Sequence, residues 1–285
     1  MFEGTGVALV TPFTKENTVD YAALGNIIDS VIAGGVDFLV ALGTTAETPT
    51  LTKAEKKEVL HFILDHNRDR LPVVVGIGDY NTQALLDALS EYPMERVSGI
   101  LSVAPYYNKP SQEGIYQHFK TLAQATDKPI ILYNVPGRTV TNILPETAVR
   151  LANDFKNIVA IKEASGNIPQ CMELVATAPA HFTVLSGDDN LILAQAAIGM
   201  KGVISVAANS YPKEFCAMVK HALKNEMKEA RKLHYSLLHR IHLLFAEGNP
   251  TGVKYALHLQ GLCENILRLP LVPASKHLEQ QFKQA

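Results

Sequence analysis

The chain has 285 residues, a length that suits one (β/α)8 barrel of about 250 residues with an appendage, or two smaller domains. Apolar residues make up 47% and charged residues 19%, which allows a closed, buried core and excludes disorder. The formal net charge is −2 and no basic run is interleaved with aromatics, so no nucleic-acid partner is expected.

Cys171, Cys216 and Cys263 lie far apart and form no C-x-x-C pair, the pattern of reduced thiols rather than of a disulfide framework or zinc site. The start, Met1-Phe2-Glu3-Gly4, shows no basic region leading into an apolar stretch. No apolar run approaches the ~18 residues of a membrane helix. The expectation is a soluble, cytoplasmic protein with no membrane association.

In chain order, eight short runs rich in Val, Ile and Leu predict strands: Gly6–Val10, Asp37–Leu42, Pro72–Ile77, Gly99–Val103, Pro129–Tyr133, Ile158–Ile161, Phe182–Leu185 and Gly202–Val206. They alternate little with polar residues, as expected of parallel strands covered on both sides. Helical patterns fall between most of them, at Lys53–Asn67, Thr82–Tyr92, Gln112–Thr126 and Pro145–Asn153. Eight βα units point to an α/β fold, a (β/α)8 TIM barrel. A doubly wound sheet is the alternative, but Gly76-Ile77-Gly78-Asp79-Tyr80-Asn81 lacks the third glycine of a dinucleotide fingerprint. After Ser210 come longer helical segments, Pro212–Lys224, Met227–Phe245 and Gly252–Leu262, then a short tail. This predicts a catalytic barrel over residues 1–223 and a C-terminal helical region over 224–285 packed on it.

Active residues of a parallel barrel gather where strands end. Those ends read Gly43-Thr44-Thr45-Ala46-Glu47, Pro105-Tyr106-Tyr107-Asn108, Tyr133-Asn134-Val135-Pro136-Gly137-Arg138-Thr139, Lys162-Glu163-Ala164-Ser165-Gly166 and Ser186-Gly187-Asp188-Asp189. Lys162 follows Ile158-Val159-Ala160-Ile161 directly, whereas Lys53, Lys56 and Lys57 sit among charges. Burial favours a neutral amine, which is what imine formation on a ketone requires. The competing reading is a lysine paired with an inward carboxylate. Tyr133 closes the neighbouring run, and its phenol could move protons in the same space or simply pack there. Gly43-Thr44-Thr45 offers hydroxyls and backbone N–H groups that suit a small carboxylate. Arg138, after a Pro-Gly turn, could meet a second carboxylate in bidentate fashion or be an ordinary surface residue. The ten histidines are dispersed, and His234, His239 and His242 are spaced poorly for one helix face, so no metal site is expected.

Together these residues resemble the dihydrodipicolinate synthase family, within the wider group that includes N-acetylneuraminate lyase. The threonine turn, Tyr133 and Lys162 are the group-wide pieces, and Pro136-Gly137-Arg138-Thr139 looks like the synthase branch. The resemblance implies condensation of pyruvate with L-aspartate 4-semialdehyde through a Lys162 Schiff base, on the way to lysine and diaminopimelate. It implies a proton relay of Tyr133, Thr44 and Tyr107, the last reaching in from a neighbouring subunit. Thr45, Gly187 and Ile204 would hold pyruvate, partly through backbone, and Arg138 the semialdehyde carboxylate. No cofactor is implied, and the assembly would be a homotetramer of paired dimers. A lyase or 2-keto-3-deoxy sugar-acid aldolase of the same superfamily shares the barrel and the lysine; a silent barrel that only binds a small acid would not form an imine. Regulated relatives bind free lysine with an asparagine, a glutamate and histidines where this chain has Tyr80, Ala84, Lys53 and Lys56, which implies weak feedback inhibition. A one-residue shift would instead place Asn81 at the asparagine position. Two departures, Ala46 for a glycine and the segment Gly248-Asn249-Pro250-Thr251-Gly252-Val253-Lys254, are expected to lie apart from the chemistry.

Overall fold

Eight parallel strands close into a barrel in sequence order, each bonded to its neighbours and the last to the first. They are β1 (Gly4–Ala8), β2 (Phe38–Ala41), β3 (Val73–Gly76), β4 (Gly99–Val103), β5 (Ile130–Asn134), β6 (Ile158–Glu163), β7 (Thr183–Ser186) and β8 (Gly202–Ser205). The structure is a computed structural model and describes residues 2–284. Helices α1 (Tyr21–Ala33), α2 (Lys53–Asn67), α3 (Thr82–Glu91) and α4 (Gln112–Gln124) follow the first four strands. A one-turn α5 (Pro136–Thr139) precedes α6 (Pro145–Asp154), and α7 (Ile168–Thr177), α8 (Ile192–Ala197) and α9 (Pro212–Leu223) complete the jacket. The chain ends with α10 (Met227–Phe245), α11 (Thr251–Leu259) and α12 (Lys276–Phe282).

The period-2 alternation of a strand sorts the side chains into two cores. Ala8, Val40, Val74, Leu101, Ile131, Tyr133, Ala160, Leu185 and Ile204 point into the barrel, with Phe2 and Phe38 packed at 5.5 Å between ring centroids among them. The alternate residues, such as Val7, Leu39, Val75, Ile130, Leu132 and Ile161, pack outward against the helices. Both faces are therefore apolar, which is why the strands read as unbroken hydrophobic runs.

Differences from the expected boundaries have local causes. β1 is shifted two residues early because Gly4 and Thr5 pair with Gly202 and Val203, while Leu9 and Val10 are buried beyond the paired segment. β6 runs on through Lys162 and Glu163, whose backbones pair with Leu185 and Ser186. α3 stops at Glu91 because Tyr92 precedes Pro93 and is extended (φ −96°, ψ 154°). The tail holds α12, capped by Ser275 and anchored by buried Leu278 and Phe282.

The C-terminal segment is laced over the mouth of the barrel. Arg268 donates to both oxygens of Glu55 and to the backbone carbonyls of Thr50 and Asn17. Its guanidinium holds the Glu55 carboxyl down at about 2, against the opposing effect of burial. No helix among the described residues is long and apolar enough to cross a membrane.

Candidate active site

Strand register brings the lysine and the tyrosine together. Tyr133 of β5 pairs directly with Lys162 of β6, so both side chains project toward the barrel axis. The Lys162 Nζ lies 4.3 Å from the centroid of the Tyr133 ring. Both residues are buried, and among the described residues no carboxylate lies within ion-pair distance of that amine.

A second buried lysine shows what a structural one looks like. Lys254, fully enclosed in α11, forms an ion pair with Glu47, donates to the Ile266 carbonyl at 2.9 Å and sits 4.1 Å over the Phe13 ring. Burial pushes its pKa down and the Glu47 charge opposes that. The paired reading weighed for Lys162 thus describes Lys254, which the sequence pattern did not single out. Its helix reads as an ordinary amphipathic segment, and its partner is more than 200 residues away in sequence.

The other anticipated residues divide into three groups. Gly187 and Ile204 belong with the lysine. The Gly187 N–H donates to the Glu163 carbonyl at 2.7 Å as the chain leaves β7. A Cβ at this position would stand 3.0 Å from Lys162 Cε and 2.5 Å from Ala164 Cβ, so the turn needs glycine to pass the lysine. Ile204 is fully buried in the inner core beside Tyr133 and Leu185. Thr44, Tyr133, Arg138, Tyr106 and Asn249 line a cavity of about 590 Å³ at the C-terminal mouth of the barrel.

Thr45 and Tyr107 stand differently. Thr44–Ala46 is a 3-10 turn that ends on Glu47 in the left-handed region, at φ 54°. Ala46 itself needs no positive φ, which explains its tolerance here. Thr45 is buried, and its hydroxyl accepts from Asn249 Nδ2 at 2.9 Å. Glu47, two residues on, also accepts from the Arg268 N–H. The expectation that the Gly248–Lys254 segment lies apart from the chemistry is therefore wrong. Asn249 and Lys254 hold both ends of the threonine turn, because a buried hydroxyl and a buried carboxylate each need a partner. Tyr107 is 86% exposed with φ 70° and lies outside the cavity, its ring 6.5 Å from that of Tyr80. Arg138 is exposed at the rim in α5, and among the described residues no carboxylate pairs with it.

A buried polar network on the outer side of the same strands was not anticipated. Glu163 accepts from Asn134 Nδ2 at 2.9 Å, from Gln170 Nε2 at 3.0 Å and from the Ser165 N–H at 2.7 Å. Asn142 links Asn134 and Gln170. Because Asn134 and Glu163 are the next residues after Tyr133 and Lys162, this network clamps the two strand ends in register. Strand alternation could have revealed it, since the neighbour of an inward lysine must face outward. Beyond Gly187, Asp189 is fully buried and accepts from the Val206 and Ala207 N–H groups at 3.0 and 2.8 Å. Burial pushes its carboxyl pKa up, and these hydrogen bonds oppose the shift.

The Dihydrodipicolinate synthetase family profile matches residues 1–285. The 4-hydroxy-tetrahydrodipicolinate synthase of Azobacteroides pseudotrichonymphae is 52% identical over 285 residues, covering 100% of this chain and 96% of the relative. That of Flavobacterium psychrophilum is 52% identical over 281 residues, covering 99% of this chain and 96% of the relative. The crystal structure of dihydrodipicolinate synthase from Thermotoga maritima superposes with a TM-score of 0.97 at 40% identity, covering 100% of this chain and 97% of that one.

Proposed function

The chain belongs to the dihydrodipicolinate synthetase family, and we propose that it works through an imine formed at Lys162. It is a class I aldolase-type lyase with 4-hydroxy-tetrahydrodipicolinate synthase activity, condensing pyruvate with L-aspartate 4-semialdehyde in lysine and diaminopimelate biosynthesis. The observation that carries the Lys162 assignment is a buried amine with no carboxylate partner among the described residues, beside a phenol, at the end of a barrel strand.

The Lys162 Nζ attacks the keto carbon of pyruvate, and loss of water from the carbinolamine leaves the imine. The cationic nitrogen acidifies the methyl group, a base accepts one of its protons, and the C–H electrons flow toward nitrogen to give the enamine, so the imine itself serves as electron sink. The enamine carbon adds to the aldehyde, and the new alkoxide takes a proton. Finally the substrate's own amine displaces Lys162 and closes the ring. Tyr133 stands close enough to carry protons at these steps, with Thr44 in the same cavity wall. The Thr45 side chain is engaged by Asn249, so its part in holding pyruvate falls to its backbone N–H, with Gly187 and Ile204 enclosing the other side. Arg138 at the rim binds the semialdehyde carboxylate. A coupled assay with pyruvate plus the semialdehyde, run beside N-acetylneuraminate and 2-keto-3-deoxy sugar acids, tests this reading. Cleavage of a sugar acid without condensation activity overturns it.

We place the enzyme in the cytoplasm as a homotetramer, a dimer of dimers in which Tyr107 enters the partner's cavity. Its exposure and its distance from the chain's own cavity support this. Mixing inactive Tyr107→Phe subunits with inactive Lys162→Ala subunits should restore part of the activity, because a mixed dimer retains one intact site. No recovery in verified hybrids would mean that each site is built within one chain.

Free L-lysine should inhibit weakly. Asn81 spends its side chain capping α3, accepting from the Gln83 N–H at 3.0 Å, and Ala84 supplies no anion. Lys53 is paired with Glu91 at 3.1 Å, so its repulsion of a cationic ligand is smaller than the sequence implies. The missing glutamate then carries the effect. Saturable inhibition at micromolar lysine and subsaturating pyruvate would refute this.

A further inference from the structure

Arg138 has to meet its substrate with a long side chain at an exposed rim. Among the described residues its guanidinium has no ion pair, so its aim is set by the backbone that carries it. That backbone is the single helical turn α5, too short to be stable by itself. The Arg138 and Thr139 N–H groups donate to the Val135 carbonyl at 2.9 and 3.1 Å, and the Val140 N–H donates to the Pro136 carbonyl at 2.9 Å.

The turn ends in a strained kink. Val140 takes a left-handed conformation, φ 59° and ψ 12°, which a β-branched residue rarely adopts. Its side chain is exposed, so packing of that side chain does not hold the kink. Thr139 does. It is buried beside Arg138 in the wall of the same cavity. Its hydroxyl donates to the Thr141 carbonyl at 2.8 Å, with the Val135 carbonyl 3.2 Å away, and accepts from the Thr141 N–H at 3.2 Å. One side chain thus ties the start of the turn to the residue beyond the kink. Past it, the Ile143 N–H donates to Asn134 Oδ1 at 2.9 Å, which returns the chain to the end of β5. With Thr139 and Thr141 both buried, Arg138 and Val140 are left facing out.

We propose that Thr139 is the positioning residue for Arg138 and thereby sets the enzyme's grip on its second substrate. The proposal rests on Arg138 binding the semialdehyde carboxylate. A strained kink persists only where its surroundings over-determine it, and the Thr139 hydroxyl supplies bonds that do so. A guanidinium aimed in advance loses less freedom on binding than one that must search for the carboxylate.

Thr139→Val keeps the shape and removes the hydroxyl. Borohydride trapping of the pyruvate imine should stay within a few-fold of the unmodified enzyme, while kcat/KM for the semialdehyde falls roughly 10- to 100-fold. Thr139→Ser, which restores the hydroxyl, should recover most of that loss. Thr139→Ala makes the same deletion with less bulk and carries the same prediction should Thr139→Val not fold. The decisive readout is a double-mutant cycle. In an Arg138→Ala background, Thr139→Val should change kcat/KM for the semialdehyde by less than about 3-fold, because a residue that acts through the guanidinium then has nothing left to position. An equal loss in both backgrounds overturns the proposal. So do unchanged semialdehyde kinetics in Thr139→Val, or loss of pyruvate trapping in the folded variant. Unchanged semialdehyde kinetics in Arg138→Ala would instead remove the reading that Arg138 binds the carboxylate.

Discussion

Pyruvate with borohydride will inactivate the enzyme and add mass to the peptide that carries Lys162, and Lys162→Ala will lower kcat by at least ~10⁴-fold. The fold will survive that change. Among the described residues Lys162 has no carboxylate within ion-pair distance, so removing it breaks no direct ion pair. Lys254→Ala is the informative contrast. It strands Glu47 in the interior without its cation, and losing one member of a buried pair costs about 3–5 kcal/mol. Thermal unfolding and peptide mass mapping, run on both variants, separate the roles: Lys162→Ala should keep its Tm and lose the label, Lys254→Ala should lose Tm. Labelling at any other lysine with Lys162 untouched would refute the mechanism.

Arg138→Ala should leave pyruvate imine formation within a few-fold of the unmodified enzyme while kcat/KM for the semialdehyde drops roughly 10- to 150-fold. That range corresponds to the ~1.5–3 kcal/mol of a charge-assisted contact. The selectivity follows from position. Arg138 stands at the rim in α5, whereas the amine and phenol lie deeper, on β5 and β6. Arg138→Lys should recover only part of the loss, since an ammonium cannot match the planar fork of a guanidinium. Comparable damage to imine formation and to the second substrate would mark Arg138 as a structural residue.

The barrel was legible because a parallel sheet covered on both faces writes itself as eight apolar runs, and because strand ends are where its chemistry collects. Lys162 stood out as the charge that interrupts such a run, and β6 continues through it. What stayed hidden depends on long-range pairing. Local pattern cannot tell that Asn249 meets Thr45, that Lys254 meets Glu47, or that Asn134, Asn142, Glu163 and Gln170 form one network. Ser186-Gly187-Asp188-Asp189 was visible as a strand end, but only the structure shows that Asp189 reaches across to the Val206 and Ala207 N–H groups. Tyr107 is the opposite case, since its position in one chain says only that it faces outward.

The lacing of the threonine turn by the C-terminal segment fixes the order in which a growing chain can complete its active site. Residues 43–47 leave the ribosome early, yet the groups that hold them, Asn249, Lys254 and Arg268, come 204 to 221 positions later than their partners. Contacts that distant in sequence form late, because loop closure must precede their reward. A nascent chain cut short after α9 therefore carries Glu47 without its counter-charge and Thr45 without its donor. Synthesis has to run past α11 and Arg268 before the turn that lines the cavity is set, which ties the finished cavity wall to the segment made long after it.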